Sequence, residues 1–119
     1  MGMKKIEAII RKSKFDEVQE ALHEAGIEFF SFWEVRGVGQ AREGRAYRGI
    51  VYDTSTIERI LISMYCRDKF VEPAVNAILT SAKTGEIGDG KIFISEIQDA
   101  FRIRTGEQGD KSLYLPGQE

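Results

Sequence analysis

Scarcity is the first information in this sequence. It holds one cysteine, Cys66, so an intramolecular disulfide is impossible. It holds one histidine, His23, which excludes histidine-based catalytic triads and leaves no Cys/His set with metal-ligand spacing. No serine lies in a nucleophile-elbow motif. No apolar run approaches the roughly 20 residues of a membrane span. The N-terminus lacks the apolar stretch of a signal peptide, so membrane insertion is not expected and the cytoplasm is the expected location. Neither charge sign is in strong excess. The net charge of −2 gives no general field for polyanions, and no nucleic-acid partner is expected. Cys66 ends an apolar strand-like run and reads as an inert buried thiol rather than a nucleophile.

What is present suits one soluble domain. At 119 residues the chain is long enough for a single modest core, and its hydrophobic and charged shares are ordinary for a globular protein. Ile6, Ala8 and Ile10 alternate with Lys5, Glu7 and Ile9, which predicts a strand. Ser13-Lys14-Phe15-Asp16 has the spacing of a capping box, and Phe15, Val18, Leu22 and Ala25 follow at helical spacing with Gly26 as the stop. His23 lies off that stripe, on the solvated side. Phe29 to Val38 and Ile60 to Cys66 predict two further strands. Asp68 is placed to cap a second helix whose buried stripe is Val71, Ala74, Val75, Ile78 and Ala82. Pro73 falls in its first turn, where a missing N–H is tolerated, and Gly85 ends it. Lys91 to Ile97 predicts the fourth strand. The order β-α-β-β-α-β is the ferredoxin-like α+β arrangement, with residues 39–56 as a long loop between the second and third strands and a polar, mobile tail over 110–119.

Two of these strands are apolar on both faces. Phe29, Trp33 and Val35 oppose Phe30 and Phe32, and Ile60, Ile62, Met64 and Cys66 oppose Leu61, Ser63 and Tyr65. Two helices cover only one face of a sheet. The other is expected to be covered by copies of the same chain.

The stretch over residues 84–104 carries the chemistry. Gly88 and Gly90 flank Asp89, and Lys91 follows. Glycine permits positive φ and close approach of a ligand to backbone N–H groups, which can form an anion nest. Arg102 and Arg104 share a face if their segment is extended, with Ile103 opposite. Taken alone, the stretch fits either a polyphosphate site or a plain turn entering a strand with two solvated arginines.

Thr84-Gly85-Glu86-Ile87-Gly88-Asp89-Gly90-Lys91-Ile92-Phe93-Ile94-Ser95-Glu96-Ile97 resembles the C-terminal signature of the PII nitrogen-regulatory signal proteins. Arg102-Ile103-Arg104-Thr105-Gly106-Glu107 is similar to the segment that follows it there. Met3-Lys4-Lys5-Ile6-Glu7-Ala8-Ile9-Ile10-Arg11 resembles the family's opening, and the likeness spans residues 3–109. The resemblance implies a non-enzymatic sensor, a homotrimer that binds ATP or ADP in clefts between subunits. It implies 2-oxoglutarate bound through Mg²⁺ held by ATP, and a protein effector such as an ammonium transporter or nitrogen-metabolism enzyme. Carried over by position, the nucleotide would meet Ser31, Gly37, Val38, Gly39, Gln40, Tyr65, Gly88, Asp89, Gly90, Lys91, Arg102, Ile103 and Arg104. Gln40 would also meet the metal and 2-oxoglutarate, with Arg59 and Ile87 completing the acid's site. Residues 39–56 match the mobile effector-binding T-loop, and Tyr52 falls at the family's uridylylated tyrosine. The family's usual Gly-Arg-Gln-Lys-Gly run is here Gly39-Gln40-Ala41-Arg42-Glu43, one residue shorter. A relative sensing only adenine nucleotides or another small ligand, without 2-oxoglutarate, is the alternative.

Overall fold

The computed structural model describes residues 2–37, 45–47, 50–52 and 58–114, the two short middle segments as backbone. β1 spans Met3–Arg11, α1 Phe15–Glu24, β2 Ser31–Val35, β3 Arg45–Tyr47, β4 Ile50–Tyr52, β5 Arg59–Arg67, α2 Val71–Ala82 and β6 Lys91–Glu96. Four strands form one antiparallel sheet in the order β2-β5-β1-β6. Each of the two βαβ units skips over a strand of the other, which is the ferredoxin-like interleaving. β3 and β4 pair with each other as a separate ribbon inside the expected long loop. Sequence patterning alone predicts no strand there.

Register explains the core. Ile6, Ala8 and Ile10 of β1 stand opposite Met64, Ile62 and Ile60 of β5, and all six are buried. A period of two places them on one face. Onto that face pack Val18 and Leu22 of α1 and Ala74, Ile78 and Ala82 of α2. Burying each large aliphatic side chain contributes about 1.5–3 kcal/mol. Cys66 belongs to this cluster, and burial, followed by the charge of Asp68, pushes its thiol pKa up, so it is an inert thiol. His23 is exposed, as expected.

Four local expectations change. Helix α1 is entered through a 3₁₀ turn, Lys12–Lys14, and its N-cap is Lys14 with no side-chain cap. Ser13 lies inside that turn, so no capping box forms; the Phe15 N–H is satisfied by the Lys12 carbonyl instead. In the same way Asp68 opens a 3₁₀ turn, Asp68–Phe70, and accepts a 2.7 Å hydrogen bond from Lys4 rather than capping α2. Helix α2 stops at Ala82 with Lys83 extended, and Gly85, at φ 91°, shapes the following turn rather than the helix end. The tail expected to be mobile forms a 3₁₀ turn over Gly109–Leu113.

Among the described residues, no helix lies on the opposite face of the sheet. Trp33, Leu61 and Ile9 align in one row across β2, β5 and β1. Trp33, Tyr65 and Phe93 are about half exposed there. On the helix side of β2, Phe32 stacks with Phe15 at 4.5 Å between ring centroids, and Phe30 joins them. The division of aromatic faces read from the sequence therefore holds for Trp33 and Phe32, within β2, but not for Phe29, because the strand begins only at Ser31. Phe29, at 73% exposure, lies just before the strand.

Candidate functional site

The turn between α2 and β6 is built around its own carboxylate. Asp89 accepts hydrogen bonds from the Thr84 N–H at 2.8 Å, the Gly85 N–H at 2.9 Å and the Thr84 hydroxyl. Arg11 Nε donates to the same carboxylate at 3.1 Å. Burial pushes the Asp89 pKa up, but the bonds from Thr84, Gly85 and Arg11 outweigh it and hold the group well below the usual carboxylate range. Asp89 therefore acts as the internal anion of the turn. The N–H groups of Thr84 and Gly85 are already spent on it.

This yields a pH prediction with a definite sign. A carboxylate with a depressed folded pKa stabilises the fold above the ordinary value near 3.9 and loses that contribution as pH falls toward the folded value. Asp89→Asn should cost about 1–3 kcal/mol at neutral pH, since it weakens several bonds to a charged acceptor. Urea midpoints of the two proteins should differ by a constant amount above about pH 5, and the gap should narrow progressively as pH falls below about 4 toward the depressed folded value. A gap that does not narrow at all between about pH 5 and about pH 3 would show that the charge is not what matters.

Two arginines hold this turn against the sheet. Arg11 and Arg59 face each other directly across β1 and β5, a pairing of like charges that is unfavourable by itself. Each is compensated from the turn. Arg11 Nη2 donates to the Ile87 carbonyl at 2.8 Å, and Arg59 Nη1 donates to the Gly88 carbonyl at 2.6 Å. Gly37 lies beside Arg59, close enough that a Cβ there would sit 3.8 Å from Arg59 Nε. Gly37, Arg59, Ile87, Gly88, Asp89, Gly90 and Lys91 are thus gathered at one end of the sheet. Nothing in the local sequence singles out Arg11. It is the last residue of β1, and only the register shows that it meets Arg59 and Asp89.

Gly88 and Gly90 have φ values of 104° and 99°, as the reading of the glycines anticipated. At Gly90 a Cβ would lie 1.6 Å from the Ile9 carbonyl oxygen. Close approach is real here, but to the chain's own β1.

The arginines downstream are arranged differently from expectation. Residues 102–107 form a turn rather than an extended segment: the Arg102 N–H bonds to the Glu107 carbonyl at 2.8 Å, and the Gly106 N–H to the Arg102 carbonyl at 2.7 Å. Gly106 supplies the positive φ, 74°, that closes it. Arg102 points back into the protein. It donates to Glu107 at 2.7 Å and to the carbonyls of Ser112 at 3.3 Å and Tyr114 at 2.6 Å. Ile103 is fully exposed at the tip. Arg104 is exposed and, among the described residues, has no hydrogen-bond or ion-pair partner. The two arginines therefore do not share one face, because the chain reverses between them.

Tyr65 and Arg102 line one cavity of about 280 Å³, together with Phe29, Arg67, Leu113 and Tyr114. That cavity is at the far end of the sheet from Gly88. Lys91 pairs with Ile9 and Glu96 with Lys4, so β6 separates the two groups by about 17 Å. One protomer therefore carries the two halves of the expected constellation at opposite ends of the sheet. Ser31 lies mid-sheet, paired with Ser63. Val38, Gly39 and Gln40 lie outside the described residues, as does the Tyr52 side chain.

The sequence model of the family described as "Nitrogen regulatory protein P-II" matches residues 3–107. The chain belongs to the PII family. It is 47% identical over 112 residues to the nitrogen regulatory protein P-II of Rhodobacter capsulatus, covering 93% of this chain and all of that one. The P-II protein of Rhodospirillum rubrum is 46% identical over the same coverage. Among solved structures, Arabidopsis thaliana PII bound to citrate superposes with a TM-score of 0.75 at 33% identity, over 93% of this chain and 92% of that one. PII proteins are signalling regulators rather than enzymes, so this chain is a nitrogen-regulatory signal protein. Among the described residues of this PII protein, no helix is long and apolar enough to cross a membrane.

Proposed function

We propose that the protein is a homotrimeric sensor that binds ATP or ADP between subunits and signals through residues 39–56 to an effector, such as an ammonium transporter or a nitrogen-metabolism enzyme. The observation that carries this reading is the separation of the two half-sites. Gly37, Arg59 and the turn over residues 87–91 stand at one end of the protomer, and Tyr65 with the Arg102–Arg104 turn at the other. A nucleotide touching both groups requires two copies of the chain. The uncovered sheet face bearing Trp33, Leu61 and Ile9 supplies an apolar surface for such copies.

In the same proposal 2-oxoglutarate joins the ATP complex through Mg²⁺, with Gln40, Arg59 and Ile87 around it. Mg²⁺ retains waters and is held largely by nucleotide phosphates. That fits this chain, because the carboxylate of the turn, Asp89, is already engaged by Thr84, Gly85 and Arg11. The ion would rest on the phosphates and Gln40, and would supply positive charge for the acid's oxygens. Ligand binding then shifts the population of the 39–56 loop by its differential affinity for the loop's states.

A second reading, nucleotide sensing without 2-oxoglutarate, is favoured by one observation: Arg59 already donates to the Gly88 carbonyl. Calorimetry of 2-oxoglutarate with and without Mg-ATP, on protein whose mass is fixed by light scattering, separates them. Heat only in the presence of Mg-ATP, on a trimer, is the expected result. ATP binding without 2-oxoglutarate binding leaves the second reading. A monomer mass at micromolar concentration removes the shared cleft altogether.

A further inference from the structure

The guanidinium of Arg102, one of the two cations assigned to the nucleotide, is occupied by the chain's own C-terminal segment. Its Nη2 donates to two carbonyls of that segment, those of Ser112 and Tyr114. The segment is itself shaped to arrive there. Ser112 Oγ donates to the Gly109 carbonyl at 2.7 Å, the Gly109 N–H bonds to the Ala100 carbonyl at 2.9 Å, and the Tyr114 N–H to the Lys111 carbonyl at 3.1 Å. The Tyr114 ring then lies under the Arg67 guanidinium, 4.1 Å from its centroid. Leu113 and Tyr114 close the cavity that Tyr65 and Arg102 line.

We propose that residues 112–114 form an intramolecular latch that competes with the nucleotide's phosphates for Arg102. This rests on the nucleotide reading above and adds a regulation to it. Backbone carbonyls are neutral acceptors, whereas a phosphate is charged and binds a guanidinium more strongly. The latch therefore yields to ATP but lowers its apparent affinity by the fraction of time it is seated. It also explains why Arg102 and Arg104 differ in the free protomer: one is held in reserve, the other is exposed and, among the described residues, without a partner. Any contact that draws the C-terminal segment away makes the site more receptive.

The test is ATP affinity of the full chain against Tyr114→Ala, which removes the ring under Arg67, and Leu113→Ala, which loosens the same closure. Neither residue is assigned to the ligand. A latch seated most of the time predicts ATP binding about threefold to tenfold tighter in both variants. Hydrogen exchange adds a second readout: ATP should accelerate exchange at the Tyr114 amide of the unmodified protein. Equal or weaker ATP binding in both variants, with the Tyr114 amide unmoved by ATP, overturns the latch and leaves the nucleotide site standing. No ATP binding by any of the three proteins overturns the nucleotide reading, and the latch with it.

Discussion

Gly90→Ala should be among the most damaging single substitutions in this chain. The added Cβ would sit 1.6 Å from the Ile9 carbonyl oxygen, at a backbone φ of +99°. No rotamer relieves a backbone clash, so β6 must move away from β1 at the point where their pairing starts. We expect a loss of about 4 kcal/mol or more, in the range reserved for severe mechanisms. Gly85→Ala is the control. It shares the positive φ, +91°, but its Cβ would meet nothing within 4 Å. It should cost about 1–2 kcal/mol from backbone conformation alone. Urea denaturation of both variants decides the matter, and equal midpoints would show that close approach to β1 is not what the glycine serves. The same geometry disqualifies Gly90 substitutions as probes of ligand contact, since any loss of binding would follow from loss of fold.

Arg104→Ala is the cleaner probe and carries the second large effect. The side chain is exposed and, among the described residues, makes no partner. Its removal should therefore leave stability within about 0.5 kcal/mol. If it meets a phosphate, the lost charge-assisted bond is worth about 1.5–3 kcal/mol, which weakens ATP binding roughly tenfold to a hundredfold. Affinity unchanged in an intact trimer would take the nucleotide away from this turn. Arg102→Ala is less informative, because it would both remove a proposed ligand contact and free the C-terminal segment.

Much of the fold was legible because its signals are periodic. The alternation in β1 and β5 and the stripe of α2 depend only on local geometry, and the observed core follows them closely: Ala74, Ile78 and Ala82 are buried as predicted, Val71 and Val75 are only half-buried at its edge, and Ile27 joins it unpredicted. Where the sequence reading failed, a short-range signal lost to a tertiary arrangement. Ser13 and Asp68 have capping chemistry, but 3₁₀ turns moved the helix starts past them. Arg102 and Arg104 have strand spacing, but Gly106 and the Phe101–Gln108 bridge fold that run into a turn. The candidate site was legible as a set of residues and not as a geometry. Sequence could pick out Gly88, Gly90 and Arg102. It could not show that Asp89 serves the turn, that Arg11 braces it, or that β6 holds the two halves apart.

The strand order has a consequence for how the chain comes to be made. β1 is synthesised first, yet it lies between β5 and β6, and its partners run from Arg59 to Glu96. At synthesis rates of about 5–20 residues per second, its hydrogen-bonding edges wait several seconds for the chain that will satisfy them. Such long-range pairing is slow to nucleate once the chain is free. During that interval Ile6, Ala8 and Ile10 are a short β-prone apolar row, and the interspersed Lys4, Lys5, Glu7 and Arg11 are what keep it from joining a neighbour's edge. In the finished protein Arg11 braces the turn at Asp89 and Lys4 pairs with Asp68, so these charges serve the chain twice, once before the sheet exists and once within it.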